Sequence, residues 1–271
     1  ASTSQKFDFN RNHALYVNEE MPSVGEININ GPGSDSTYIR QPLAFDTHRA
    51  AGNESSLTYL WQLHVNGNPD RVGIAIEQVD EDYLTRYDYD DEGDLYKFVQ
   101  RNNLNPVLSD TTTGVEKKTG DLSNNDSLQD LVNGLKLPTS DARRAYVVDA
   151  LDLPQIVNYL ASRSITQDAD DLRKNFYLYQ DSQGDCRWRI FPWDKDFTFG
   201  VVGDGGTFLP HPFFGDEEHK KQNANQWNVL YDVVFEEPVT QRLYLRRLRT
   251  LMDELLQPSS TPSNERILEA M

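Results

Sequence analysis

Residues 174–200 read KNFYLYQDSQGDCRWRIFPWDKDFTFG, and this stretch limits the fold more than any other part of the chain. Two short apolar-aromatic runs flank Asp181-Ser182-Gln183-Gly184-Asp185, a cluster of turn-forming residues. That pattern predicts a β-hairpin over 175–192. Its second strand, expected over Cys186–Phe191, runs straight into Pro192-Trp193-Asp194-Lys195-Asp196. Two carboxylates therefore stand just past a strand that should be buried. Upstream, Asp170 is followed by four residues and then Asn175.

The rest of the chain changes style near residue 80. Before it, strand-like runs cover Lys6–Asn10, Ala14–Val17, Glu26–Ile29, Leu57–Val65 and Val72–Glu77. Turn signals such as Asn30-Gly31-Pro32-Gly33 and Asn66-Gly67 separate them. One helix is expected from about Thr37 to Ala51, on the spacing of Ile39, Leu43, Ala44 and Thr47. After Asp80 the helical period takes over. Leu153, Ile156, Val157 and Leu160 share one face, with Asp152 as N-cap and Pro154 in the first turn. Leu243, Leu248, Leu251, Met252 and Leu255 mark a long amphipathic helix that ends before Pro258. Asp141 begins another helix. These patterns predict one α+β domain of two lobes over 1–271, strand-rich over 1–80 and helical over 81–271.

Composition excludes several classes. The 271 residues are 37% hydrophobic and 11% aromatic, enough for a globular core. With 43 acidic against 26 basic residues the net charge is −17, which argues against nucleic acid as a partner and favours a basic protein. No apolar run approaches the ~18 residues of a membrane span. A single Cys186 rules out an internal disulfide, and its place in the second strand suggests a packed or half-exposed thiol. Asp88-Tyr89-Asp90-Asp91-Glu92-Gly93 opens like an EF-hand loop, but Val99 stands where a bidentate Glu is required. It reads as an acidic turn. The histidines, at 13, 48, 64, 211 and 219, show no ligand spacing. The Gly- and Pro-rich segment 203–221 is long enough to be a lid or binding loop.

An Asp, four residues and an Asn, followed by a hairpin that delivers another Asp, is how protein kinases place a base and two magnesium ligands. The wording around it resembles the CotH kinase family, whose strings run KNYYLYRD and PWDLDLTFG. Val65-Asn66-Gly67, Gly73–Asp80, Leu84 and Gly93–Lys97 are similar to the family's VNG, GLYVLVEQVD and G.LYK block. Ser36–Gly52 and Tyr231–Leu256 resemble its helix and tail, with Gln41 where an acid often stands. Lys6 is similar to the last lysine of a KKSYKLKF strand, which puts the usual nucleotide loop before this chain's first residue.

The resemblance implies an atypical protein kinase. It would transfer the ATP γ-phosphate to Ser or Thr of a protein, one that is basic and Ser-rich. Asp170 would be the base. Asn175, Asp194 and Asp196 would hold magnesium or manganese, with the primary acid of the last two left open. Lys6, or Lys97 in its stead, would meet phosphate. Trp188 would stack on adenine or simply fill the core, and Glu77 would mark a hinge or a helix start. Asp168 and Asp171, wrongly spaced to Asn175, should matter far less than Asp170. The resemblance also favours an extracytoplasmic, cell-surface or spore-coat setting. The other reading is a non-catalytic coat or surface protein that keeps the fold and uses its acidic face for assembly.

Overall fold

The computed structural model describes residues 4–10, 13–31, 33, 35–99, 114–138, 140–168, 170–171, 174–200, 228–258 and 260–262. Among them lie two four-stranded antiparallel sheets and seven helices, a mixed α+β arrangement.

The first sheet has the order β1-β2-β4-β3, from β1 (Gln5–Asp8), β2 (Glu26–Asn30), β3 (Thr58–Val65) and β4 (Asn68–Glu77). Asn66 and Gly67 both take positive φ, 51° and 81°, the two-residue turn whose twist matches a hairpin. Helix α1 (Arg40–Ala50) crosses between β2 and β3, and its Phe45 packs on Ile74 and Ile76 of β4. It starts later than its periodicity suggests. Tyr38 sits at φ 61°, and buried Asp35 accepts the Arg40 N–H at 2.8 Å, capping the helix from outside. Ala14–Val17 is no strand. Only Leu15 bridges to Val24.

Gln78 to Asp80 connect β4 to the short α2 (Glu81–Arg86), capped by Asp80. The second sheet follows, in the order β6-β5-β7-β8, from β5 (Asp94–Phe98), β6 (Val115–Lys117), β7 (Phe176–Gln180) and β8 (Trp188–Pro192). The second part was expected to be helical apart from one hairpin; it holds a full four-stranded sheet. The expected hairpin, β7–β8, is one half of that sheet. Its strands read as continuous apolar runs because both faces are covered. Phe176, Leu178, Trp188 and Ile190 enter the main core with the helices, while Tyr177, Tyr179 and Phe191 pack on Val79, Tyr83 and Leu84.

Four more helices and one that threads them complete the fold: α3 (Asp126–Leu135), α4 (Ser140–Ala150), α5 (Leu153–Thr166), α6 (Val229–Glu236) and α7 (Pro238–Leu255). Helix α5 is central and packs on α7 and β8. As read from sequence, Asp152 caps it, accepting the Gln155 N–H at 3.3 Å. Cys186 departs from expectation. It lies exposed in the β7–β8 turn at φ 57°, before the strand begins.

Candidate functional site

The loop after α5 carries three acids, and the structure sends them to different places. Asp171 is buried, 2.6 Å from Arg163 Nε, and accepts the Tyr159 and Tyr231 hydroxyls at 3.3 and 3.1 Å. Asp168 is buried against the Lys195 ammonium at 2.6 Å, and its other oxygen accepts the Asp170 N–H at 3.0 Å. Asp170 alone remains half-exposed. Its Oδ2 accepts Asn175 Nδ2 at 2.9 Å and pairs with the Lys174 ammonium. Among the described residues both contacts fall on Oδ2, so Oδ1 is open to a further donor.

Asn175 and Asp194 are set by the β7–β8 register. Phe176 pairs with Pro192, so the residue before β7 and the residues after β8 leave the ladder side by side. Both are in the left-handed region, Asn175 at φ 64° and Asp194 at φ 51°. Such strain in non-glycine residues persists only where the surroundings enforce it, and functional sites are where it collects. With its amide nitrogen on Asp170, Asn175 has no hydrogen bond to Oδ1 among the described residues, which leaves it as a hard oxygen donor. The half-buried Asp194 makes no hydrogen bond or ion pair among the described residues. Burial pushes its carboxyl up from the usual range, opposed by Lys174, helped by Asp170, and opposed again by Lys195 and Lys97. Asp196 reaches Gly33: a Cβ there would come within 3.5 Å of its Oδ2.

Lys97 lies on the same side. Its ammonium sits 4.6 Å from the centroid of the Trp193 ring and 5.6 Å from that of Tyr177. Burial, with Lys118 adding to it, brings it down to about 8, while Glu116 and Asp194 oppose the shift and Lys6 supports it. Lys97 makes no hydrogen bond or ion pair among the described residues. Lys118 and Lys6, whose charges Lys97 feels, also line a cavity of about 520 Å³ with Gly25, Gln78, Val79 and Asp80 among others. Lys6 there pairs with Glu26 and lies 3.7 Å from Asp8.

Two expected contacts do not fit this geometry. Trp188 is 1% exposed in the main core against Tyr96, so no base can stack on it without opening that core. Glu77 spends both oxygens on Arg86, at 2.6 Å each, and on the Leu57 N–H at 2.9 Å. It braces the connector after β4. His211, His219 and the segment 203–221 lie outside the described residues.

The sequence matches the CotH kinase protein family over residues 2–268. The chain belongs to that family. Among curated proteins it is 27% identical over 195 residues to inner spore coat protein H of Bacillus subtilis (strain 168). That alignment takes in 69% of this chain and 53% of the relative, so the chain spans about half the relative's length. Among solved structures, the Helicobacter pylori proinflammatory kinase CtkA aligns over 91% of this chain and 90% of its own, at 12% identity and a TM-score of 0.39. The HipA–HipB operator complex of Shewanella oneidensis MR-1 aligns over 100% and 61%, at 10% identity and a TM-score of 0.34. Family membership makes this a kinase-like protein.

In this member of the CotH family, three residues in the cluster escaped the sequence reading. Lys174 was legible in principle, since its i+4 spacing from Asp170 favours an ion pair. Trp193 was legible by strand parity. Trp188 and Trp193 are an odd number of residues apart, so they face opposite sides of the sheet, and only Trp193 shares a side with Lys97. Lys195 gave no signal, because its partner Asp168 belongs to a different loop.

The cavity also carries a titratable group at the start of α2. Asp80 is pushed up from 3.8 to about 7, chiefly by burial; its capping bond to Tyr83 opposes, and Asp82, Glu81 and Glu26 add to the rise. The folded protein thus holds this proton more tightly than the unfolded chain does. Stability falls as pH rises from about 4 to about 7, and the full cost remains above that. At about 1.4 kcal/mol per pKa unit, the upper bound is about 4 kcal/mol. Asn caps helices as well as Asp does, so Asp80→Asn should stabilise the protein by about 1–2 kcal/mol at pH 8 and little at pH 4. Urea denaturation at the two pH values checks it, and equal effects at both would contradict the assignment.

Proposed function

We propose that this protein is an atypical kinase that moves the γ-phosphate of ATP to a Ser or Thr hydroxyl of a protein. One observation supports the reading: Asp170 accepts from Asn175 and pairs with Lys174, and Asp194, from a separate loop, lies within electrostatic reach of Asp170, Lys174 and Lys97. The first sheet with α1 forms one lobe and the second sheet with the remaining helices the other. The cavity at Gln78 to Asp80 takes the nucleoside, and Lys97 and Lys6 meet phosphate. Trp193 replaces Trp188 as the aromatic wall of the site.

The donor set suits a hard divalent cation, magnesium or manganese. Among the described residues no three His, Cys, Asp or Glu side chains gather as a closed metal site. Two protein oxygens, from Asn175 and Asp194, fit a cation whose shell is completed by phosphate and water. Such a cation neutralises phosphate charge when bound. Asp196 is then a secondary ligand at most. Asp170 Oδ1 accepts the proton of the incoming hydroxyl as its oxygen bonds to phosphorus. The bond from phosphorus to the bridging β-phosphate oxygen breaks, and ADP departs with that oxygen.

Asp194→Asn should weaken ATP binding at least ~10-fold in magnesium and leave it unchanged in a chelator, because only the metal-bound form uses the carboxylate. Calorimetry tests this. Equal affinity of the two proteins in magnesium would remove Asp194 from the site. As pH falls towards the raised Asp194 value, protons compete with the cation and the magnesium-dependent part of the affinity fades.

The substrate we favour is basic and Ser-rich, matched to the net charge of −17. Similarity to an inner spore coat protein supports a spore-coat or extracytoplasmic setting. No described helix is long and apolar enough to cross a membrane. That same similarity favours one alternative, a coat protein that assembles without catalysis. Labelled γ-phosphate transfer to a Lys- and Ser-rich protein separates the two, and its complete absence, self-labelling included, selects assembly.

A further inference from the structure

We propose that Lys195 is a positioning residue that staples the Asp170 loop, the backbone of Asn175 and the Asp194 loop into one unit. The proposal rests on the phosphotransfer reading for its catalytic consequence, but its geometry stands alone. Lys195 is 0% exposed, although it lies between two acids at the mouth of the site. Its ammonium donates to the Asn175 carbonyl at 3.0 Å and lies 2.6 Å from Asp168 Oδ2. The same Asn175 carbonyl accepts the Trp193 N–H at 3.1 Å, and Asp168 Oδ1 accepts the Asp170 N–H at 3.0 Å. Three hydrogen bonds and one ion pair thus link Asp170, through Asp168, Lys195 and Asn175, to Trp193, next to Asp194.

Packing alone does not call for an ammonium here. Leu or Met fills the same volume with no desolvation cost, whereas a buried ammonium costs several kcal/mol unless its partners are well placed. The groups facing it from neighbouring elements are Asp168 and Asp171 of the loop, Asp194 of its own segment and His48 of α1. Fully buried His48 is held well below its ordinary value by burial and by this ammonium, so it stays neutral and adds no competing cation. Arg163 is taken up by Asp171 and Lys174 by Asp170, so the Lys195 ammonium is directed at Asp168 and at the Asn175 carbonyl. Misplacing reacting groups by about 1 Å can cost ~100-fold in rate, which gives such a staple a function beyond stability.

The test uses Lys195→Met, Asp168→Asn and the double variant. Three readouts are needed: amide exchange, melting temperature and steady-state phosphate transfer. In Lys195→Met, exchange at the Asp170 and Trp193 amides should speed up ~10-fold or more, while α5 and α7 stay protected. The turnover number should fall ~10- to 100-fold, with KM for ATP changed less than ~3-fold. The double variant leaves no buried charge unpaired, so it should regain the melting temperature without regaining turnover or amide protection. It also replaces the single variant if that one fails to fold. Recovery of turnover and protection together with stability would overturn the proposal, as would unchanged exchange at both amides in Lys195→Met. If the unmutated protein transfers no phosphate, the phosphotransfer reading falls, and the exchange rates alone decide the staple.

Discussion

Asp170→Asn should lower phosphate transfer ~100-fold or more and leave magnesium-dependent ATP binding within ~3-fold of the unmutated protein. The substitution keeps the shape of the side chain and its bond to the Asp168 carboxylate through the backbone. It removes the acceptor for the hydroxyl proton and the partner of Lys174. A positioned general base contributes ~10²- to 10⁴-fold, and binding does not draw on that term. Single-turnover transfer with labelled ATP, beside calorimetry on the same preparation, reads both quantities. Transfer at the unmutated rate would exclude Asp170 as the base. A parallel loss of ATP affinity would instead make it a metal ligand.

Asp171→Leu should unfold the protein or come close to it. Arg163 is 1% exposed, and this carboxylate is its ion-pair partner. Without it a guanidinium is left uncompensated inside the core, together with two tyrosine hydroxyls that had a shared acceptor. Breaking a buried pair from one side costs about 3–5 kcal/mol. In a chain of this size that lowers the melting temperature by about 6–20 °C. Arg163→Met added to Asp171→Leu should restore most of the loss, since an apolar pair of similar volume packs without desolvation. Thermal denaturation followed by circular dichroism tests both steps. A loss below about 1 kcal/mol in the single variant would contradict the buried-pair argument. The result also revises the expectation that the acids flanking Asp170 are bystanders. Spacing alone marks them as non-catalytic, but spacing says nothing of burial.

What could be read from the chain was local. Asp170, Asn175 and Asp194 are tied by the length of one loop and one hairpin, and such distances are written in sequence. The Asn66-Gly67 turn and the Asp152 cap were legible for the same reason. The second sheet was not, because Tyr96 of β5 pairs with Leu178 of β7 across more than eighty residues. With both faces buried, its strands also lack the alternation that would have marked them. Of the two readings of Trp188, adenine platform and core aromatic, the structure fits the second. Its aromatic character fitted a base platform, but its side of the ladder leads into the helices, with Ile190 beside it. The Lys195–Asp168 pair joins two loops that only the fold brings together.

The packing of β7 and β8 between two cores has a practical corollary. A strand gripped on both faces cannot flex independently, so whatever is attached at one end reports on the other. At the end remote from Asn175 and Asp194 stands exposed Cys186, the chain's single thiol, roughly 16 Å away along a five-residue strand. A spectroscopic label there needs no engineered cysteine and touches none of the candidate ligands. Paired with a nucleotide analogue that carries a complementary probe, it would act as a fixed ruler for occupancy of the site, with a distance that changes only if the hairpin moves as a whole.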